Sequence, residues 1–352
     1  MNTPKGRGAS GNPANRFERT HFEVDLDEAE NDPDASLSPA TQVFRDSTRA
    51  IIATNDSPDV GFDASINPYR GCEHGCVYCY ARPTHEYLGF SAGLDFETKI
   101  MVKEDAPELL RRELASPRWV PKTVALSGVT DAYQPIERRL TLTRRCLEVL
   151  AEFRNPVAIV TKNRLVTRDA DVLGAMAAYS GAAVFVSVTT LDSDLARRME
   201  PRASTPPARL AAIEALRAAG VPVGVMVAPV IPGLNDHEIP AILQAAAKAG
   251  AQFASYTAIR LPLGVGPLFE AWLDRHYPER KAKVLYRIRE IRGGRLNDSR
   301  FGDRMHGQGP FADLIEQLFA TGMKRAGIEP RRLSLSTASF RKPGESQLRL
   351  FQ

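Results

Sequence analysis

The feature that most constrains this 352-residue chain is an alternation of short apolar segments with amphipathic ones. Six apolar segments have the composition of buried strands: residues 62–69, 123–128, 156–162, 182–190, 221–231 and 253–259. Between them lie segments with helical periodicity, such as 137–153 and 206–220, the latter beginning at prolines and ending at a glycine. Strands that are apolar on both faces and alternate with helices indicate a parallel sheet covered by helices. We therefore predict an α/β fold.

Six strand–helix units are fewer than the eight of a complete barrel, so the pattern favours a partial (β/α)6 TIM-like barrel. A doubly wound open sheet is the alternative, but its glycine fingerprint G-x-G-x-x-G does not follow any predicted strand. We divide the chain into a mostly disordered N-terminal arm (1–45), a core barrel (46–262) and a basic, mainly helical C-terminal extension (263–352). The arm is rich in Gly, Asn, Pro and acidic residues, which bury too little apolar surface to fold.

Composition and charge indicate the compartment and a class of partner. No stretch approaches the roughly 20 continuous apolar residues of a membrane helix, and the start, MNTPKGRGASGN, lacks the apolar segment of a secretory signal. We therefore expect a cytoplasmic protein without a membrane partner. Residues 279–352 contain 16 Lys and Arg against 8 Asp and Glu. This basic region favours a polyanionic partner such as nucleic acid, and ordinary solvated helix faces are the alternative.

Three of the four cysteines lie within YRGCEHGCVYCYARP (69–83), in the spacing C-x3-C-x2-C. The cytosol keeps thiols reduced, so we interpret them as metal ligands rather than disulfides. A structural zinc site needs four ligands, but Cys146 lies on the apolar face of a predicted helix and is predicted to be a core residue. Neither His74 nor His85 completes a regular zinc knuckle. Three thiolates with one open position suit a [4Fe–4S] cluster, with a zinc knot as the alternative.

The C-x3-C-x2-C motif, with Tyr78 directly before its third cysteine, resembles the signature of the radical S-adenosylmethionine (radical SAM) superfamily. The segments SINPYRGCEHGCVYCYARPTHEYLG, SGVTDAYQPIER, TKNRLVTRD, EPRASTPPARL and APVIPGLND further resemble an uncharacterised bacterial family related to spore photoproduct lyase, over roughly residues 45–325. The resemblance implies that Cys72, Cys76 and Cys79 bind three irons of a [4Fe–4S] cluster whose fourth iron binds S-adenosylmethionine. An electron from a donor such as flavodoxin or ferredoxin would then cleave S-adenosylmethionine to a 5′-deoxyadenosyl radical, which abstracts a substrate hydrogen.

The resemblance also implies contacts to S-adenosylmethionine at the carboxyl ends of the strands, where the active sites of barrel enzymes lie. Six residues are implied: Tyr78, Tyr80, Ser127, Lys162, Ser187 and Ala228. Lys162 would bind the carboxylate and Ser187 the ribose, while Ser127 would grip the cofactor. The backbone near Tyr78 and Tyr80 would face the adenine, which Ala228 would help to enclose.

Two departures from the family pattern bear on the reaction. Many superfamily members carry Gly-Gly-Glu after the second strand, but this chain has SGVTD, where Asp131 is the candidate substitute. Spore photoproduct lyase uses an extra cysteine as a hydrogen-atom donor, and the only spare cysteine here is Cys146. Tyr80 and Tyr133 are the candidate donors in its place. We therefore do not expect lesion repair to transfer directly to this chain.

Arginines supply the remaining candidates. Arg292, Arg295, Arg300 and Arg304 lie in or beside the loop GGRLNDSRFGDRMHGQGP and suit phosphate binding, or they belong to a surface loop covering the barrel. Arg70 and Arg82, beside the cysteines, are expected to offset cluster charge. The favoured function is a radical SAM enzyme acting on nucleic acid. The alternatives are a radical SAM enzyme acting on a peptide or small metabolite, and a zinc-stabilised, non-enzymatic nucleic-acid-binding protein.

Overall fold

A computed structural model describes residues 4–17, 39–330 and 333–343 of the chain. In chain order its strands are β1 Gln42–Arg45, β2 Ile52–Thr54, β3 Ala64–Ile66, β4 Tyr69–Arg70, β5 Lys99–Val102, β6 Val124–Leu126, β7 Val157–Thr161, β8 Ala182–Ser187, β9 Val223–Val230 and β10 Phe253–Ala258. Seven of them form one sheet in the order β10-β9-β8-β7-β6-β3-β2. The other three form a small sheet in the order β1-β5-β4.

Six of the seven strands of the large sheet, β3 and β6–β10, correspond to the six predicted strands. From β3 through β10 every neighbouring pair in this sheet is parallel, and only β2 runs antiparallel, against β3. The predicted α/β fold is thereby confirmed. Among the described residues β2 and β10 form the two edges, so the sheet has the strand order of a partial barrel that does not close.

Helices connect the parallel strands. The α-helices of the described residues are Leu94–Thr98, Ala106–Ala115, Glu137–Leu140, Leu142–Phe153, Ala170–Ala177, Ser193–Met199, Pro206–Ala218, Ile239–Lys248, Val265–His276, Pro278–Glu290, Asp303–His306 and Pro310–Ala326. Short 3-10 helices span Arg82–Leu88, Arg164–Asp169 and Asp236–Glu238. Because β3 and β6–β10 are parallel, their carboxyl ends lie at the same end of the sheet, called the strand-end face below.

The main core lies between the sheet and these helices. Strands such as β8 consist mostly of β-branched and small apolar residues, which are buried on both faces of the sheet. The helix Leu142–Phe153 contributes an apolar stripe to this core. The stripe includes Cys146, whose side chain is fully buried. The prediction that Cys146 is a core residue is therefore confirmed.

The N-terminal arm differs from its prediction wherever the structure describes it. Residues 4–17, called the N-terminal segment below, lie against the loop that carries the cysteines. Here hydrogen bonds from the backbone of Gly8 and Ala9 to the buried carboxylate of Glu97 replace the apolar burial that the composition lacks. Residues 1–3 and 18–38, the rest of the predicted disorder before β1, lie outside the described residues.

The C-terminal extension is mainly helical in its described part. Its first helical stretch is divided at Tyr277, between Val265–His276 and Pro278–Glu290, because Pro278 begins a new helix rather than continuing the old one. The helix Pro310–Ala326 packs beside Ile239–Lys248. Among the described residues, no helix is both long enough and apolar enough to cross a membrane.

Candidate functional site

The cysteine loop, residues 71–81, follows β4 and has a backbone that only glycine permits at two positions. Gly71 and Gly75 have φ angles of +80° and +67°. A Cβ atom on Gly75 would lie 2.7 Å from a carboxylate oxygen of Glu97, and one on Gly71 would lie 3.0 Å from the Phe96 carbonyl oxygen. Both glycines are therefore required by conformation and by packing.

Arg82 organises the cysteine loop through its own hydrogen bonds. Its side chain is fully buried. Nε donates to the Cys76 carbonyl (2.9 Å), and Nη1 donates to the carbonyls of Ala92 and Gly93. The guanidinium also forms an ion pair with Glu97 at 2.5 Å. A buried charge is tolerated when it is paired and hydrogen-bonded in this way.

The N-terminal segment packs directly against the cysteine loop. The backbone N–H groups of Gly8 and Ala9 donate to the two oxygens of Glu97, at 3.0 and 2.8 Å. A Cβ atom on Gly8 would lie 1.8 Å from the Gly75 carbonyl oxygen, so the two backbones are in direct contact. Glu97 thus links the N-terminal segment to Arg82 and, through Arg82, to the loop that carries the thiols.

The three thiols of the loop are free and largely enclosed. Cys72 and Cys76 are 7% and 8% exposed, Cys79 is half-buried, and none is in a disulfide. Burial raises the pKa of each thiol, and the negative charges of Asp131, Cys76 and Cys79 raise the pKa of Cys72 further. All three thiols lie within one loop, residues 71–81. Without a metal they remain protonated at neutral pH, so metal binding must release protons.

The donor set of the cysteine loop, three free thiols, suits a [4Fe–4S] cluster. Across residues 4–17, 39–330 and 333–343, no three His, Cys, Asp or Glu side chains are gathered closely enough to hold one metal ion. Three thiolates that each bind a different iron of a [4Fe–4S] cluster stand farther apart than four ligands around one zinc ion. The neighbouring thiols on a glycine-shaped loop therefore fit the cluster that the sequence predicts.

Lys162 follows β7 and lies at the centre of the strand-end face. Its Nζ donates to Thr189 Oγ1 at 3.0 Å and to the Ala228 carbonyl at 2.9 Å, and it lies 3.1 Å from Glu200 Oε1. The ammonium also stands 5.7 Å from the centre of the Tyr78 ring. The structure thus brings together three residues of the predicted cofactor site: Tyr78, Lys162 and Ala228.

Glu200 is the buried centre of this arrangement, and the sequence analysis did not single it out. Its fully buried carboxylate accepts hydrogen bonds from Tyr78 Oη, Thr189 Oγ1 and Arg209. Desolvation opposes ionisation, but the charges of Arg209 and Lys162 prevail and lower the pKa of Glu200. Burial and the Glu200 charge raise the pKa of Tyr78, which therefore stays protonated as a donor. The only available sequence signal was the pair of opposite charges in EPRASTPPARL.

The other predicted contacts lie at strand ends with different surroundings. Ser127 has a φ of +78°, and its Oγ accepts from the Ala132 N–H at 2.9 Å. Ser187 is the last residue of β8, and its carbonyl accepts from Arg209 at 3.1 Å. Tyr80 is 46% exposed and donates from Oη to the Gly128 carbonyl at 2.7 Å.

Asp131 and Tyr133 are both engaged in contacts of their own. The Asp131 carboxylate accepts from the Lys162 N–H at 2.7 Å and from Thr161 Oγ1 at 2.8 Å, so it holds the end of β7. Tyr133 is fully buried and donates to Asp169 at 3.1 Å. Tyr133 therefore packs in the core, whereas the exposed Tyr80 remains a candidate hydrogen-atom donor.

Three of the four arginines predicted to bind phosphate already have partners within the protein. Arg292 is buried and donates to backbone carbonyls, including that of Ile259 at 2.7 Å. Arg304 pairs with Asp59, and Arg300 with Asp298, which leaves the exposed Arg295 as the fourth. Arg292 therefore fastens the loop to β10 rather than binding a ligand, because burial leaves its guanidinium no free donor face.

A family model described as the radical SAM superfamily matches residues 66–246, more than half of the chain. The chain belongs to the radical SAM superfamily. An uncharacterised protein of Mycobacterium tuberculosis is 41% identical over 232 residues, which are 65% of this chain and 67% of that protein. An uncharacterised protein of Methanocaldococcus jannaschii is 28% identical over 214 residues, 61% of this chain and 76% of its own.

A solved structure has a similar fold. It is a variant of spore photoproduct lyase with bound AdoMet and dinucleoside spore photoproduct, and it matches with a TM-score of 0.60 over 92% of this chain and 88% of its own. At 17% sequence identity this similarity shows the fold alone. The predicted resemblance to the radical SAM superfamily and to the spore photoproduct lyase fold is confirmed.

Proposed function

We propose that this protein is a radical SAM enzyme whose Cys72, Cys76 and Cys79 hold a [4Fe–4S] cluster. One observation carries the proposal: three free, enclosed thiols share a loop at the strand-end face of the sheet, while the fourth cysteine is buried in the core. When bound, a reduced cluster of this kind supplies the electron that cleaves S-adenosylmethionine to methionine and a 5′-deoxyadenosyl radical, which abstracts a hydrogen atom.

Lys162 is proposed to bind the carboxylate of S-adenosylmethionine, because a Lys ammonium suits a carboxylate as a compact point charge. All three of its N–H donors have acceptors in the ligand-free protein: Thr189, Ala228 and Glu200. Binding therefore requires Lys162 to exchange one acceptor. Thr189 is the neutral side chain among them, and its hydroxyl can still donate to Glu200 at 2.6 Å without Lys162.

The remaining cofactor contacts keep their predicted roles in this proposal. Ser127 would grip the cofactor, Ser187 would bind the ribose, and Ala228 would help to enclose the adenine. The backbone near Tyr78 and Tyr80 would face the adenine. The ordered hydrogen bonds around Tyr78 and Ser127 support this assignment, because they position those residues before any ligand arrives.

A nucleic acid is the proposed substrate, and an acidic electron carrier such as flavodoxin or ferredoxin is the proposed donor. The basic composition of residues 279–352 supports the first of these. The fold of spore photoproduct lyase, which carries a dinucleoside spore photoproduct in its structure, is consistent with it.

The test is metal and sulfide analysis after anaerobic reconstitution, followed by incubation with dithionite and S-adenosylmethionine. We expect about four irons with matching sulfide, and release of 5′-deoxyadenosine. Cys76→Ala should lose both the bound iron and the activity, whereas Cys146→Ala, the matched control in the core, should keep both. A fully loaded protein that never cleaves S-adenosylmethionine, or one holding a single zinc and no sulfide, would refute the proposal.

A further inference from the structure

Arg260, two residues beyond the end of β10, is a cation without a counter-ion. Among the described residues, its only hydrogen bond is a long contact of 3.8 Å from Nη1 to the sulfur of Met305, and its buried Nε has no partner there. Within the described part of the chain no carboxylate forms an ion pair with Arg260. Arg260 is half-buried and its Nε is shielded from solvent, so a guanidinium without an ion-pair partner among the described residues is a candidate to bind an anion at the strand-end face.

The neighbours of Arg260 add positive charge rather than removing it. Asp59 is the nearby carboxylate, but it is already paired with Arg304, whose Nε donates to it at 2.6 Å. Arg292 is a buried guanidinium whose hydrogen bonds, among the described residues, all go to backbone carbonyls. Burial, together with the adjacent charge of Arg260, lowers the pKa of Arg292 to about 10. Both remain cationic at neutral pH, so this corner of the molecule has excess positive charge.

Two exposed aromatic rings lie beside these cations. Tyr80 is 46% exposed, and the Arg260 guanidinium carbon is 5.2 Å from its ring centre. Phe301 is 59% exposed, and the Arg304 guanidinium carbon is 4.7 Å from its ring centre. Large exposed aromatic side chains held by arginines are the elements with which proteins stack unpaired bases and bind the backbone between them.

The four residues Tyr80, Arg260, Phe301 and Arg304 define an arginine–aromatic surface that adjoins the reactive site. Tyr80 directly follows the proposed cluster ligand Cys79 in the chain and donates to the Gly128 carbonyl beyond β6. A molecule bound on this surface would therefore reach the strand-end face where hydrogen abstraction is proposed.

We propose that the arginine–aromatic surface binds an unpaired nucleotide of a nucleic-acid substrate, with a phosphodiester on Arg260 and bases stacked on Tyr80 and Phe301. This inference rests on the proposed function, since it names the substrate contacts of the same site. Base pairs in a duplex leave no free faces for stacking, so a single strand should bind more tightly than a duplex of the same length.

The test is fluorescence anisotropy of the cluster-loaded protein with a labelled single-stranded oligothymidylate at several salt concentrations. Each phosphate contact on a single strand contributes about 0.7 to the slope of log affinity against log salt. Arg260→Gln should therefore lower that slope by about 0.7 and the affinity at 0.1 M salt by about fivefold. Arg260→Lys should keep the slope, and Arg138→Gln, an exposed arginine outside this surface, should change neither quantity.

Phe301→Leu separates stacking from charge. It should weaken binding by at least about fivefold and leave the salt slope unchanged, because it removes a ring and no charge. Equal affinity and slope for Arg260→Gln and the unmodified protein would overturn the inference, and so would an equal loss in Arg138→Gln. Failure of the unmodified protein to bind the oligonucleotide at low salt would overturn it too and would favour a peptide or small metabolite. Cleavage of S-adenosylmethionine by the unmodified protein, measured separately, tests the proposed function alone.

Discussion

Glu200→Gln should destabilise the protein more strongly than its small chemical change suggests. The carboxylate is fully buried and pairs with Arg209, whose side chain is 2% exposed, and with Lys162 at 3.1 Å. Gln keeps the shape and one acceptor oxygen but removes the charge, which leaves Arg209 as a buried cation without the counter-charge of Glu200. Removing one partner of a buried ion pair typically costs about 3–5 kcal/mol. That is a large part of an unfolding free energy of roughly 5–15 kcal/mol.

The assay is guanidinium unfolding of the metal-free protein, followed by circular dichroism, with a check that the denaturant dependence m is unchanged. Glu148→Gln is the matched control, because Glu148 forms an exposed pair with Arg144 at 2.8 Å and should contribute less than about 1 kcal/mol. The double variant Glu200→Gln/Arg209→Met should lose less than the sum of its single variants, because it removes both buried charges. Equal losses for Glu200→Gln and Glu148→Gln, or simple additivity of the pair, would refute the reasoning.

The same pair predicts a pH dependence with a definite sign. The pKa of Glu200 is lowered in the folded protein, whereas in the unfolded chain it is about 4.3. Its stabilisation is therefore fully present above pH ~4.3 and is lost as the pH falls below that value. Glu200→Gln should remove this part of the acid sensitivity of unfolding.

Three further changes test the loop, the cofactor site and a buried histidine. Gly8→Ala places a Cβ atom 1.8 Å from the Gly75 carbonyl oxygen and should speed iron loss from the reconstituted protein. Gly11→Ala is the control, because a Cβ atom there meets no atom within 4 Å. Equal rates of iron loss in the two variants would contradict the role of Gly8. Lys162→Met should weaken binding of S-adenosylmethionine roughly tenfold or more in calorimetry, since it removes a charged hydrogen bond, and an unchanged affinity would exclude Lys162 from the site. Burial lowers the pKa of His85 to about 4, so the free energy of unfolding should fall as the pH drops from ~6.5 to 4. His85→Gln should remove this pH dependence of the thermal unfolding temperature, and an unaltered pH profile in the variant would contradict the assignment.

Features governed by local pattern were predictable from the chain alone. The six strands follow from runs of β-branched and apolar residues, and the helices between them follow from periodicity and from prolines and glycines at their ends. The candidate ligands Cys72, Cys76 and Cys79 follow from spacing within a single loop. The burial of Cys146 was predictable too, because the apolar face of one helix determines it.

Features that depend on residues far apart in the chain required the tertiary structure. Glu97 meets Gly8 across almost 90 residues, so the composition of the arm gave no sign that it docks behind the cysteine loop. Arg292 and Arg304 looked equivalent in a basic loop. In the structure the buried Arg292 donates to backbone carbonyls, whereas Arg304 forms an ion pair with Asp59. Arg260 directly follows the last predicted strand, but the sequence does not reveal which acidic residues lie near it in the fold. A charge takes its role from its partners and its burial, and only the folded chain determines both.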